Sequence, residues 1–320
     1  MTKKFVSGGL GSSEFWAMVN GLWPGKPQFT ESDYPKLDGK VVIVTGATAG
    51  FGYETKDAIK RLELEIAKEF GKTNLNVDHV LVDFAVLTTI KPAAEEFLKK
   101  ESRLDIIIHN AGVMNAPDGS VTKQGFELHI GTNNLGPHLL EKFLDPIIIK
   151  TSQTNKPGGT RIVWVSSFTH YFSSKGGLFY SNPNFRNTKA VSAYKYGQSK
   201  AISILQAKGW NSAHPGGSNI ISVSLCPGFL HTELTRHSSA FEQYMASIMT
   251  YHVRNGAYTE LFAAFSPGLS SGDHIESFGR LTKAREDLED PVAISKAWDY
   301  LDSNVASYIC LNMSVSKTLN

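Results

Sequence analysis

A phenol four residues ahead of an amine, Tyr196 and Lys200, is the arrangement in this 320-residue chain whose chemistry is most evident. Residues four apart share a helix face, and Tyr196-Gly-Gln-Ser-Lys200 runs on into Ala201-Ile-Ser-Ile-Leu205, a helix-compatible stretch. A cation beside a phenol stabilises the phenolate and lowers a pKa otherwise near 10. Tyr196 is therefore placed to give and take a proton near neutral pH. The same spacing recurs at Tyr171 and Lys175, but Gly176-Gly177 follows at once and no helix continues, so that pair is set aside. Arg161-Ile-Val-Trp-Val ends in Ser166-Ser167. Adjacent strand residues point to opposite sides, so one hydroxyl of the two can face a crevice. Asn133 lies in Gly131-Thr-Asn133-Asn134-Leu-Gly136, inside a helical pattern. Asn is unfavourable there, and is tolerated where its side chain holds a water or opens a backbone carbonyl. Cys226-Pro-Gly228-Phe-Leu-His-Thr232 is a turn able to bring backbone and a hydroxyl to the same region.

These residues need a scaffold that gathers them at one edge. Val41-Val-Ile-Val-Thr, Val80-Leu-Val, Ile106-Ile-Ile, Ile162-Val-Trp-Val and Ile220-Ile-Ser-Val-Ser-Leu are β-branched runs of the kind buried on both faces of a parallel sheet. Helical patterns over 53–70, 88–102, 123–150 and 190–208 alternate with them. The alternation predicts βαβ units, hence a doubly wound, Rossmann-like α/β sheet in a single domain over 37–320, preceded by an arm over 1–36. Substrate loops are expected over 168–190 and 229–290. After the first strand comes Gly46-Ala-Thr-Ala-Gly50-Phe51-Gly52, then a helix start. Glycines there let backbone approach a pyrophosphate, and the helix N-terminus supplies N–H donors.

Composition narrows the classes. Thirty-two basic and 30 acidic residues give a net charge of +2, so nothing points to nucleic acid. Two cysteines, Cys226 and Cys310, make neither a disulfide framework nor a zinc site, and favour a reduced, cytoplasmic setting. No metal site is expected. Phe15-Trp-Ala-Met-Val is too short for an integral membrane segment.

Taken in order, these motifs resemble the short-chain dehydrogenase/reductase family over roughly 38–265, and Asn133-Asn-Leu-Gly-Pro-His-Leu-Leu with Gly256-Ala-Tyr-Thr-Glu-Leu-Phe is similar to its retinol-dehydrogenase-like, fungal branch. The resemblance implies an oxidoreductase using NADP or NAD, with NADP slightly favoured, that interconverts a hydroxyl and a carbonyl on a small-molecule substrate. It implies Tyr196 as acid/base and Lys200 as the group that lowers its pKa and binds the nicotinamide ribose. Ser167 would polarise the carbonyl, with Ser166 second choice, and Asn133 would hold a relay water. Gly46, Gly50, Phe51 and Gly52 would cradle the pyrophosphate. Asp83 would contact adenine, Asn110 and Gly112 the ribose side, and Gly228 and Thr232 the nicotinamide end. Homodimers are common in such a family.

Three departures stand out. Only residues 53–79 separate Gly52 from Val80, about one βα unit fewer than the family places there. Either Val80–Phe84 moves into the vacated position beside the first strand, bringing Asp83 to a strand end, or the sheet keeps a gap; the first is preferred, since a gap leaves backbone groups unpaired. His109 stands where the family has Asn. Ser167 and Tyr196 are unusually far apart, making 168–190 an insertion; Tyr180 is nearer the family spacing but is followed at plus four by Asn184, so it is rejected. Phe229, Leu230, Phe241, Tyr244 and Met245 suggest an apolar substrate. The shortened cofactor half motivates an alternative, a non-catalytic binding protein of the same family.

Overall fold

The branched apolar runs become strands where both faces find cover. In the computed structural model, which describes residues 21, 23–46, 77–229, 251 and 253–310, one sheet carries six strands in the order β1 to β6. They are β1 (Val42–Val44), β2 (Ile106–His109), β3 (Thr160–Val165), β4 (Ile220–Leu225), β5 (His274–Glu276) and β6 (Arg280–Thr282). Strands β1 to β5 are parallel, and β6 returns antiparallel to β5. The main helices are α1 (Ile90–Lys100), α2 (Gly136–Ser152), α3 (Ser192–Ala213), α4 (Val253–Phe265) and α5 (Pro291–Cys310).

Strand alternation sorts the core into two layers. Ile107, Ile162 and Trp164 point to one face and meet Leu139 and Leu144 of α2, Ala201 and Leu205 of α3, and Leu301 of α5. Ile106, Ile108, Val163, Val165 and Val223 point to the other face and meet Ala263 and Ala264 of α4. Helices thus cover both faces, the α/β Rossmann-like arrangement the sequence implied. Buried Arg161 clips the layers together, donating to the Ala263 and Ser266 carbonyls at the end of α4. Among the described residues no helix is long and apolar enough to cross a membrane.

The cofactor side differs from expectation. Val80-Leu81-Val82 forms no strand, and Leu81 is 58% exposed. Among the described residues the sheet stops at β1, where Val42 and Val44 are 37% and 43% exposed rather than buried on both faces. The preferred shift of Val80–Phe84 to a place beside β1 is therefore not taken. Asp83 stands at no strand end. Its exposed carboxylate accepts from the Ala85 N–H at 2.9 Å and its carbonyl accepts from Thr89 Oγ1, which turns the chain into α1. Phe84 next to it is buried under Gly136, where a Cβ would lie 2.8 Å from the ring.

β1 is held from one side. Asp105 accepts from Arg103, from Lys40 Nζ, from the Val41 N–H and from Asn155. The helical pattern read over 123–150 begins at Leu128, because Val121 and Glu127 first close a small antiparallel bridge. The stretch 229–290, expected to form loops and helices, contains in its described part the helix α4 and also two strands, β5 and β6. The helix expected over 53–70 and Leu230, Phe241, Tyr244 and Met245 lie outside the described residues, as does most of the arm over 1–36.

Candidate active site

Helix α3 carries Tyr196 and Lys200 to the end of β3 because one of its residues has no side chain. A Cβ on Gly197 would lie 2.3 Å from the Thr169 carbonyl oxygen. Gly in a helix interior costs about 1 kcal/mol relative to Ala, and here it lets the helix touch the turn that follows Ser167. Sequence reasoning did not assign Gly197; its signal was that misplaced propensity.

The two serines separate as alternation requires. Ser166 is buried and donates to the Lys200 carbonyl at 2.7 Å, bolting β3 to α3. Ser167 turns the other way. Its Oγ accepts from the Thr169 N–H and hydrogen-bonds the Tyr196 phenol. Lys200 Nζ lies 5.5 Å from the Tyr196 ring centre and donates to the Val165 carbonyl at 2.9 Å. Ser167, Tyr196 and Lys200 therefore converge.

Charge behaves differently from the expectation. Burial pushes the Tyr196 phenol well above its ordinary value, while the hydrogen bond from Ser167 opposes the rise only partly. Burial also brings Lys200 down to about 8. Lys200 thus does not depress the phenol in this state, because removal from water penalises both charged forms. Cys226 is pushed up to about 12 by burial, so it is a neutral thiol at physiological pH.

Asn133 is committed to backbone. Its Oδ1 accepts from the Val113 N–H at 2.7 Å, and its Nδ2 donates to the Val113 carbonyl and to Ser199 Oγ. It sits in Gly131–Leu135, a π-helical turn that offsets the ladder ahead of α2. Asn134, unassigned from sequence, donates to the Ser199 carbonyl and Gln206 Oε1, joining the same turn to α3.

The remaining expected residues divide by place. Gly112 sits between the polar groups: a Cβ there would be 3.1 Å from Asn133 Oδ1 and 3.6 Å from Lys200 Nζ. Gly46 has φ +70° and would drive a Cβ to 2.7 Å from Ala111 Cα. Asn110 Nδ2 donates to the Thr45 carbonyl at 3.1 Å, tying the ends of β1 and β2 together. Gly228 has φ +98°, and Ser277 Oγ fills the space a Cβ would need. These cradles, with Gly112 close to Lys200 and Asn133, fit a dinucleotide. Asp83 is turned into its own loop, while Gly50, Phe51, Gly52 and Thr232 lie outside the described residues. His109 stacks on Trp164 at 4.2 Å and meets Glu141 at 2.7 Å, behind the crevice. The rejected pair is apart, since Tyr171 donates to Glu276 and Lys175 is exposed. The Tyr180 ring instead carries Lys296 Nζ, 4.1 Å away.

Known proteins with this pattern can now be compared. Residues 40–183 match the short chain dehydrogenase family. The chain is 35% identical over 315 residues to the short-chain dehydrogenase/reductase pkfC of Emericella nidulans, covering 91% of this chain and 100% of that one. Among solved structures, a protein from Mycobacterium paratuberculosis superposes with TM-score 0.58 at 22% identity, over 86% of this chain and 96% of that one. A gluconate 5-dehydrogenase from Burkholderia cenocepacia, solved with NADP and tartrate, gives TM-score 0.55 at 18% identity, over 78% and 98%. With identity and coverage of that extent, this chain belongs to the short-chain dehydrogenase/reductase family of oxidoreductases.

Proposed function

We propose that the chain interconverts a hydroxyl and a carbonyl on a small, apolar substrate with NADP or NAD, Tyr196 serving as acid/base. The observation that carries this reading is the convergence of Ser167, Tyr196 and Lys200 at the end of β3, with Gly112 beside Lys200. A bound nicotinamide supplies the redox half of the reaction; Lys200, Gly112, Asn110 and Gly228 are the described residues that would hold it. In reduction, Tyr196 gives its proton to the carbonyl oxygen, which Ser167 polarises by hydrogen bonding. Burial keeps that proton on Tyr196 at neutral pH, so the ligand-free site is set as an acid. In oxidation the same phenol must be ionised, and the ammonium of Lys200 is the nearby cation that stabilises it. Phe168 and Phe229, with ring centres 3.9 Å apart, supply an apolar wall beside Ser167.

Tyr196→Phe removes the proton and is expected to abolish turnover while cofactor binding, followed by NADPH and NADH fluorescence, survives. Unchanged turnover in that variant would overturn the assignment. The alternative, a non-catalytic binding protein, draws on the sheet's stopping at β1 among the described residues. Saturable binding of neither cofactor would favour it.

A further inference from the structure

Behind Tyr196 lies a buried pair the mechanism does not use. His129 sits in the short helical turn Leu128–Ile130, with its ring centre 5.9 Å from that of Tyr196 and edge-on to it. Its Nδ1 donates to Glu127 Oε1 at 2.7 Å. Glu127 uses its other oxygen to accept the Ile130 N–H at 3.1 Å. That bond caps the turn leading into Asn133. His129 Nε2 is buried and has no hydrogen-bond partner among the described residues. A buried polar atom left alone is costly, so this imidazole is held in place by Glu127 against the phenol rather than by bonds of its own second nitrogen.

The pair reaches outward as well. The Glu127 N–H donates to Asn184 Oδ1 at 2.8 Å. Asn184 belongs to the segment 168–190 between Ser167 and Tyr196, and it and Glu127 both face a cavity of about 260 Å³. The neighbouring charged and titratable groups are Asp118 and Lys195 at that cavity and Tyr300 on α5, whose pKa burial and the Glu127 charge push up to about 12. Phe185, next to Asn184, is held at φ +50°. That conformation is a strained one for a bulky residue, so this stretch of the segment has a set shape.

We propose that Glu127 and His129 are positioning residues for Tyr196, and that through Asn184 they make the phenol's placement depend on the seating of the inserted segment. This rests on the reading of Tyr196 as the acid, and the test separates the two. The protein is labelled with 3-fluorotyrosine, and the Tyr196 fluorine signal is identified by its loss in Tyr196→Phe. Asn184→Ala, which does not touch Tyr196, is expected to shift or split that signal and to lower kcat about fivefold, the scale of one lost hydrogen bond, with the cofactor KM within about twofold. Asn184→Asp keeps an acceptor for the Glu127 N–H and is expected to restore both. In a His129→Phe background Asn184→Ala is expected to change nothing further; if that background does not fold, Glu127→Gln replaces it. A Tyr196 signal unmoved by Asn184→Ala overturns the proposal, as does an equal response with His129 replaced. Absence of turnover in the wild type would remove the functional reading, while the fluorine experiment would still decide the coupling.

Discussion

The buried pair His109 and Glu141 leads to a prediction about stability whose sign follows from counting protons. His109 Nε2 and Glu141 Oε2 are 2.7 Å apart, and His109 Nδ1 and Glu141 Oε1 have no hydrogen-bond partner among the described residues. Ionising both would leave two unpaired charged edges in a fully buried place, so the pair is neutral. Burial brings His109 down to about 3, and burial with the nearby Asp145 carboxylate raises Glu141 well above 4.5. The folded pair therefore holds one titratable proton. The unfolded chain, with ordinary values of 6.5 and 4.5, holds two below pH 4.5, one between 4.5 and 6.5, and none above 6.5. A lowered His pKa costs stability as pH falls below 6.5, and a raised Glu pKa costs stability as pH rises above 4.5. The two cancel in the middle window. Above pH 6.5 only the Glu141 loss remains, a factor of ten in the folding constant, or about 1.4 kcal/mol, per pH unit until its folded pKa is reached. Glu141→Gln deletes that loss. Above pH 6.5 the wild type should thus lose stability with rising pH, relative to the variant, at up to about 1.4 kcal/mol per unit for as long as Glu141 stays protonated in the folded protein, whatever other groups common to both contribute. Urea unfolding of both proteins at half-unit intervals from pH 5 to 8.5 measures the difference directly. Parallel curves above pH 6.5 would mean that Glu141 is ionised in the folded protein and would refute the neutral pair.

Other substitutions follow from the same geometry. Asp105→Ala leaves the partly exposed Arg103 and Lys40 only the Asn155 amide oxygen and frees the Val41 N–H ahead of β1, and should cost about 1–3 kcal/mol in denaturant unfolding. Because those partners hold the Asp105 carboxyl well below its ordinary value, its contribution is present above pH 4 and is lost as pH falls below it, a trend the variant should lack. Gly197→Ala pushes a methyl against the Thr169 carbonyl and should lower both melting temperature and kcat by moving Tyr196 away from Ser167. Ser167→Ala should lower kcat about 100-fold and, by removing the acceptor for the Thr169 N–H, also lower the melting temperature, whereas Ser166→Ala leaves the Lys200 carbonyl short of a donor and should cost about 1–2 kcal/mol of stability. Lys200 is down at about 8, so oxidation rates that depend on its charge should decline as pH passes that value in ligand-free enzyme, read from kcat/KM.

What the sequence made legible follows how much of each feature is local. β2, β3 and β4 are almost wholly buried and carry runs of apolar residues, and α3 continues smoothly past Lys200, so their places could be read directly. That an α-helix runs through Tyr196 and a short turn holds Tyr171 is likewise a local feature. The order of Ser166 and Ser167 needed alternation plus the direction of the crevice. β5 and β6 are three residues each and mix Ile and Leu with His, Glu and Arg, so no run announces them. Val80-Leu-Val reads like β4 in miniature, yet a strand needs a neighbour to pair with, and local pattern cannot say whether one is there. The pKa of Tyr196 was misjudged because a helix-face argument supplies the neighbour but not the loss of water.

The described contacts also divide the molecule's two tasks. Tyr196 and Lys200 are held by α3, Ser167 by the end of β3, and Asn133 by Val113 and Ser199. The residues that set these four side chains come from 113 onward. β1 touches this group only through Thr45, whose carbonyl and hydroxyl bind Asn110 and the Ala111 N–H, and through Gly46 against Ala111. Gly46→Ala, which drives a methyl against Ala111 at a position of φ +70°, should therefore act on the cofactor KM far more than on kcat at saturating cofactor. A loss confined to kcat would contradict this separation, because Asn133, Ser167, Tyr196 and Lys200 are held by contacts of their own.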